Sequence, residues 1–131
     1  PAITPNPLVE LDGDSDLLRR RSLVDYLGSL DRFEALDPQV VLPGHGPAFT
    51  SVGALVTATR AHHERRAEEI HAHISRLVEP TAYELSRAVF PHIDGFEILL
   101  AISEVLGHVD LLVADGDVVI DLGSPTRYAS T

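Results

Sequence analysis

A chain of 131 residues is long enough for one ordinary domain or two very small ones, and 44% hydrophobic residues suffice for a modest core. The absence of cysteine excludes a disulfide framework, a thiolate zinc site and a cysteine nucleophile, and leaves the redox compartment unread. Ten Arg, no Lys and twenty acidic residues give a formal charge of −10 at pH 7, which repels a phosphate backbone and argues against nucleic-acid binding.

No run reaches the roughly 20 apolar residues of a membrane span. The opening Pro1-Ala2-Ile3-Thr4-Pro5 lacks a charged-then-apolar leader pattern, so the chain reads as soluble and cytoplasmic. It starts with three prolines in seven residues and contains no methionine, from which residue 1 is expected not to be a natural start.

Pro1, Pro5, Pro7, Gly13 and the interspersed Asp favour an extended or looped path over the first fourteen residues. From 16 to about 36, Leu23, Leu27, Leu30 and Phe33 recur at helical steps, with Asp16 at the positive end of the dipole and Pro38 as the stop. Gln39-Val40-Val41-Leu42 is an apolar run between prolines and predicts a buried strand over 39–42. Pro43-Gly44-His45-Gly46-Pro47 follows it directly.

The next helix is expected from about 50 or 51 to 78, ended by Glu79-Pro80. Its apolar stripe of Val56, Ala67, Ile70, Ile74 and Leu77 thins at His62-His63-Glu64-Arg65-Arg66, and Arg65 is spaced to pair with Glu69. A helix of this kind bridges two packed bodies. Thr81-Ala82-Tyr83-Glu84 fits a capping box and predicts a helix over 82–90, broken by Pro91 and Gly95.

From Phe96 onward Leu99, Ile102, Leu106, Val109 and Val113 keep 3-4-3-4 spacing, so one helix is expected to about 114. A hairpin strand over 111–114 is the competing reading, and it loses because the stripe is unbroken. A strand over 118–122, a turn at Gly123-Ser124-Pro125 and a short return strand over 126–128 complete the chain. The fold class is therefore mainly α with a small β component, divided into residues 1–50 and 51–131. Only residues 51–131 have the makings of a self-sufficient domain.

His45 stands between two glycines at the end of the expected strand, where a side chain projects into a cleft and glycine permits a sharp turn. Imidazole is the commonest zinc ligand, but a hydrolytic zinc site needs at least three protein ligands, so His45 requires partners from elsewhere. His62 and His63 diverge by roughly 100° on a helix, as adjacent residues do. His71 and His73 also diverge, and the four read as a solvated, charged face.

Asp12, Asp14 and Asp16 resemble the start of a calcium loop, yet the twelfth position is Leu23 rather than Glu. Gly44-His45-Gly46 is not a phosphate loop, since no Gly-Lys-Ser/Thr follows. Three helices and a hairpin in this order match a winged helix. The last helix offers Glu97, Glu104, His108 and Asp110 away from its stripe, and the wing offers Arg127, a poor set for DNA.

These segments together resemble the C-terminal part of a metallo-β-lactamase-fold hydrolase of the kind that ends in a winged-helix-like domain. The matching residues are Ile3-Thr4-Pro5-Asn6, Val40-Val41-Leu42-Pro43-Gly44-His45-Gly46-Pro47, the His62 to Ile70 segment, and Glu104 to Gly116. The resemblance implies that 1–50 is the closing helix-strand unit of an αββα sandwich and that 51–131 is the appended domain. It implies a zinc hydrolase of esters, thioesters or phosphodiesters as the full-length parent, with His45 as one metal ligand.

The other ligands of that family, a His-x-His-x-Asp-His motif, a later His and a Gly-Asp aspartate, have no counterpart here. The chain alone is therefore expected to be an inactive fragment that binds no zinc. The alternative is a stand-alone winged-helix interaction or DNA-binding regulatory protein. A strand shaped for a sheet interior exposes apolar surface and edges, so self-association through residues 1–50 is expected.

Overall fold

The computed structural model describes residues 6–9 and 20–131. The first helix, α1, spans Ser22–Ala35 and buries Leu23 and Leu30. It starts later than the expected position 16: Arg20 and Arg21 are not helical, and positions 16–19 lie outside the described residues. Arg20 instead turns its guanidinium onto Asp25 in the first helical turn, with Nε 3.1 Å from the carboxylate. At the other end Asp37 takes a left-handed conformation with φ 42°, and Pro38 follows.

The expected strand over 39–42 does not form. Val41 alone pairs, with Phe49, through backbone bonds of 2.8 and 3.1 Å in both directions. The bend at Gly44-His45-Gly46, with Gly46 at φ 90°, folds the chain back on itself and leaves Val40 and Leu42 56% and 82% exposed. A strand needs neighbours along its length, and here the partner is one residue long. Val41 and Phe49 pack on a small cluster of Leu30, Val52 and Val56 that joins α1 to the next helix.

That helix, α2, spans Val52–Leu77 and buries Val52, Val56, Thr59, His63, Ile70 and Ile74. Val78 and Glu79, both at positive φ, turn the chain into α3, Ala82–Val89. The capping box is present as expected: Thr81 Oγ1 accepts from Glu84 N at 3.2 Å, and Glu84 Oε2 accepts from Thr81 N at 2.8 Å. The bond from Thr81 N, a second from the Thr81 hydroxyl to Glu84 Oε2 at 2.9 Å and, more weakly, Arg127 hold the Glu84 carboxyl below its ordinary pKa.

The last helix, α4, spans Glu97–Asp115 and is closed by Gly116 in the left-handed conformation. It packs against α1, α2, α3 and the strand that follows it, so its second half is buried nearly all round, from Val105 to Asp110 and again at Leu112. The apolar stripe alone under-predicts this. Leu99 at its start is half exposed, whereas His108 and Asp110, expected on a solvent face, are 0% and 1% exposed. Gly107 lets α1 approach, since a Cβ there would lie 3.3 Å from the Cβ of buried Leu23.

The chain ends in an antiparallel hairpin of β1, Val118–Asp121, and β2, Arg127–Ser130, with Val118 opposite Ser130. Val118 and Tyr128 join the main core of Ile70, Ile74, Leu85, Val105 and Val109. The hairpin is fastened to the helices by Tyr128 N–H donating to Pro80 O at 3.1 Å and by Ser75 Oγ and Ser130 Oγ at 2.8 Å.

Removing the Thr81 cap by Thr81→Ala should cost about 1 kcal/mol of stability, read as a lower denaturation midpoint, with Thr81→Ser close to the parent. No loss in the alanine variant would show that α3 is held by its packing alone.

Candidate functional site

Two histidine loci stand out, and they differ in every physical respect. The first is His45, at the tip of the bend that the Val41–Phe49 bridge closes. Its side chain is exposed. Among the described residues no group of three His, Asp or Glu comes together to hold a metal, so His45 does not complete a metal centre with them. Asp12, Asp14 and Asp16 lie outside the described residues.

The second locus is buried between α2 and α4. His63 and His108 are 1% and 0% exposed, and His63 Nδ1 lies 3.0 Å from His108 Nε2. The other ring nitrogen of His108, Nδ1, is 2.7 Å from the Glu104 carbonyl oxygen. Tyr26 of α1 and His62 of α2 meet the His63 ring edge-on, with centroids 6.3 and 5.2 Å away. Burial pushes the Tyr26 hydroxyl above its ordinary pKa.

Burial also pulls His108 down to about 4; the Glu104 carbonyl opposes this, and His63, Arg66 and His62 add to it. One helical turn along, Arg66 Nε binds the Glu104 carboxylate at 3.0 Å while its Nη1 binds Glu69 at 2.7 Å. The guanidinium sits 4.9 Å from the centroid of the Phe90 ring. Glu69 is thus engaged by Arg66, not by the Arg65 that the spacing suggested. His63 is also among the residues that line a cleft of about 320 Å³, with Leu27, Arg60, Glu64, Leu111 and Asp115.

The expectation that His62, His63, His71 and His73 share a solvated face fails at His63, and the other three are half-buried. The sequence carries a signal for this. His63 falls four residues after Thr59 and seven before Ile70, on the same stripe as Val52 and Val56, and His108 lies between Val105 and Leu112. Both are core positions by spacing, and only the polarity of histidine argues for solvent. Arg127, the one cation of the wing, donates to the Glu79 carbonyl at 2.8 Å and lies 3.8 Å from Glu84, so the geometry adds nothing for DNA.

No protein-family model matches the sequence. A Bacillus subtilis (strain 168) protein named probable metallo-hydrolase YqjP is 37% identical over 126 residues, covering 96% of this chain and 39% of that protein. A beta-lactamase domain protein from Burkholderia ambifaria superposes with TM-score 0.72 at 31% identity, over 86% of this chain and 34% of its own. A metallo-beta-lactamase family protein from Thermus thermophilus does so with TM-score 0.70 at 30% identity, over 96% and 40%.

The chain matches the C-terminal part of a metallo-β-lactamase fold. It spans 39% of the length of its curated metallo-hydrolase relative. The segment with the exposed His45 and the segment with the buried pair therefore both fall inside the portion shared with such proteins, since the match takes in 96% of the chain. No helix among the described residues is long and apolar enough to cross a membrane.

The two loci should respond oppositely to truncation. His63→Ala empties a buried site and strands the His108 acceptor, and should cost about 2–4 kcal/mol. His45→Ala should change stability by less than about 0.5 kcal/mol. Chemical denaturation of the two variants checks this, and an equal loss for both would remove the distinction.

Proposed function

We propose that this chain is the C-terminal portion of a metal-dependent hydrolase and that His45 supplies one ligand to its metal, zinc being the ion that suits an imidazole donor without thiolates. The observation that carries this reading is an exposed imidazole on a bend between glycines, within a chain 37% identical to a metallo-hydrolase. Exposure favours a ligand over a structural role, because the ring contributes nothing to either core cluster. The remaining ligands belong to the portion that the longer relatives carry and this chain does not. Substrates of the ester, thioester or phosphodiester class fit the assignment, and residues 51–131 serve as the winged-helix-like appended domain.

The test uses a longer protein that contains this chain together with the upstream portion its relatives possess. His45→Ala should lower bound zinc per chain measurably and reduce hydrolysis at least tenfold while leaving the unfolding midpoint in place. Unchanged zinc content and unchanged turnover would remove His45 from the metal centre.

Self-association through residues 1–50 belongs to the same proposal. Leu36, Val40 and Leu42 are 76%, 56% and 82% exposed around a single bridge, a surface that suits contact with further chain. Light scattering on the 131-residue chain should show mass rising towards that of a dimer with concentration, and Leu42→Glu should abolish the rise. A monodisperse monomer at high concentration would count against it.

A further inference from the structure

Between the end of α2, one face of α3 and the strand β2 lies a groove of about 350 Å³, walled by Leu77, Pro80, Tyr83 and Ala88 and flanked by Arg87 and Arg127. Leu77, Val78 and Tyr83 are 45%, 79% and 54% exposed, so three large apolar side chains meet water around one concavity. The turn at its rim is strained: Val78 and Glu79 sit at φ 54° and 52°, a region that a β-branched valine seldom enters. The hairpin holds that turn in place, with Arg127 Nη1 donating to Glu79 O at 2.8 Å and Tyr128 N–H to Pro80 O at 3.1 Å. The groove is therefore built by contacts between distant parts of the chain.

Its charge is opposite to that of the chain as a whole. The formal charge is −10 over 131 residues, yet the groove sets two guanidinium groups against one carboxylate, Glu84. That carboxylate is already committed, since it accepts from Thr81 N at 2.8 Å and from Thr81 Oγ1 at 2.9 Å and stands 3.8 Å from Arg127. Arg87 donates to the main-chain oxygens of Ile93 and Pro91, and among the described residues no carboxylate pairs with it. Carbonyl oxygens fix a guanidinium in position without cancelling its charge, and they leave N–H donors of the planar fork unused. Repulsion from the remaining acidic surface is screened beyond about 8 Å at physiological ionic strength, whereas contact with the two arginines acts inside that distance.

We infer that this groove binds a small amphipathic anion, with its apolar body against Leu77 and Tyr83 and its acidic group on Arg87 and Arg127. An apolar concavity with a few placed polar groups is the usual form of a small-molecule site, and the arginine fork matches the oxygens of an acidic group. None of the residues involved belongs to the proposed metal centre, so the groove is independent of the role of His45.

Two probes that share an aromatic body test the site on the 131-residue chain: anilinonaphthalene sulfonate, which carries a negative charge, and phenylnaphthylamine, which carries none. Fluorescence titration should show the sulfonate binding about tenfold more tightly, the worth of one screened charge-assisted contact. Its addition should shift the NMR signals of amides between Leu77 and Ala88 and of Arg127. Raising the salt from about 0.05 to 0.5 M should narrow the preference. In Arg87→Gln/Arg127→Gln the amides still donate to the carbonyls but the charges are gone, so the two probes should bind alike, while Tyr83→Ala should weaken both.

Equal affinities in the parent chain, a preference that survives the double substitution, or shifts confined to residues 36–42 overturns the inference. If the double variant does not fold, the parent chain still decides: a salt-sensitive preference with shifts at the groove supports the site, and a salt-insensitive one overturns it.

Discussion

Burying a helix on nearly every side is the constraint from which the rest of this structure follows. α4 touches α1, α2, α3 and the first strand of the hairpin, so any polar side chain on its buried faces must find a partner inside the protein. Ser103 accepts from the Val9 amide at 2.8 Å, drawing in the segment that precedes α1. His108 meets His63, and Glu104 meets Arg66. The polar residues of α4 therefore act as addresses for the surrounding elements, while Val105, Val109 and Leu112 supply the apolar burial. Gly107 completes the arrangement by admitting Leu23, since a Cβ at 107 would lie 3.3 Å from the Leu23 Cβ and require the two helices to give by a few tenths of an ångström.

Much of this was legible in the residues. The capping box at Thr81, the stop at Glu79-Pro80, the turn at Gly123-Ser124-Pro125 and the continuous helix through Leu111 all follow from local chemistry that acts over a few residues, and all are present. What local chemistry cannot fix is partnership at a distance. Residues 39–42 have the composition of a buried strand, but a strand is made by its neighbours, and a single bridge to Phe49 is all the described chain offers.

The histidines teach the same lesson from the other side. Their spacing puts His63 and His108 on buried faces, and only the polar nature of imidazole argues for solvent. A residue 45 positions away removes that objection by making each ring the other's partner. His45, by contrast, is singled out by its glycine neighbours. The structure adds its exposure and the bend that carries it, and among the described residues no group of three His, Asp or Glu comes together to hold a metal. The chain spans only 39% of the length of its curated metallo-hydrolase relative.

Glu104 contributes to two neighbouring contacts through different parts of the same residue: its carboxylate holds Arg66, and its main-chain oxygen holds the His108 ring. The main-chain role is independent of side-chain identity. Any residue that keeps α4 helical at 104 presents the same carbonyl, so the orientation and tautomer of His108 are inherited with the helix rather than with a particular amino acid. Sequence drift at 104 can change the half-buried ion pair with Arg66 while the buried ring keeps its main-chain acceptor. A covarying partner for His108 is therefore to be sought at 63 and not at 104.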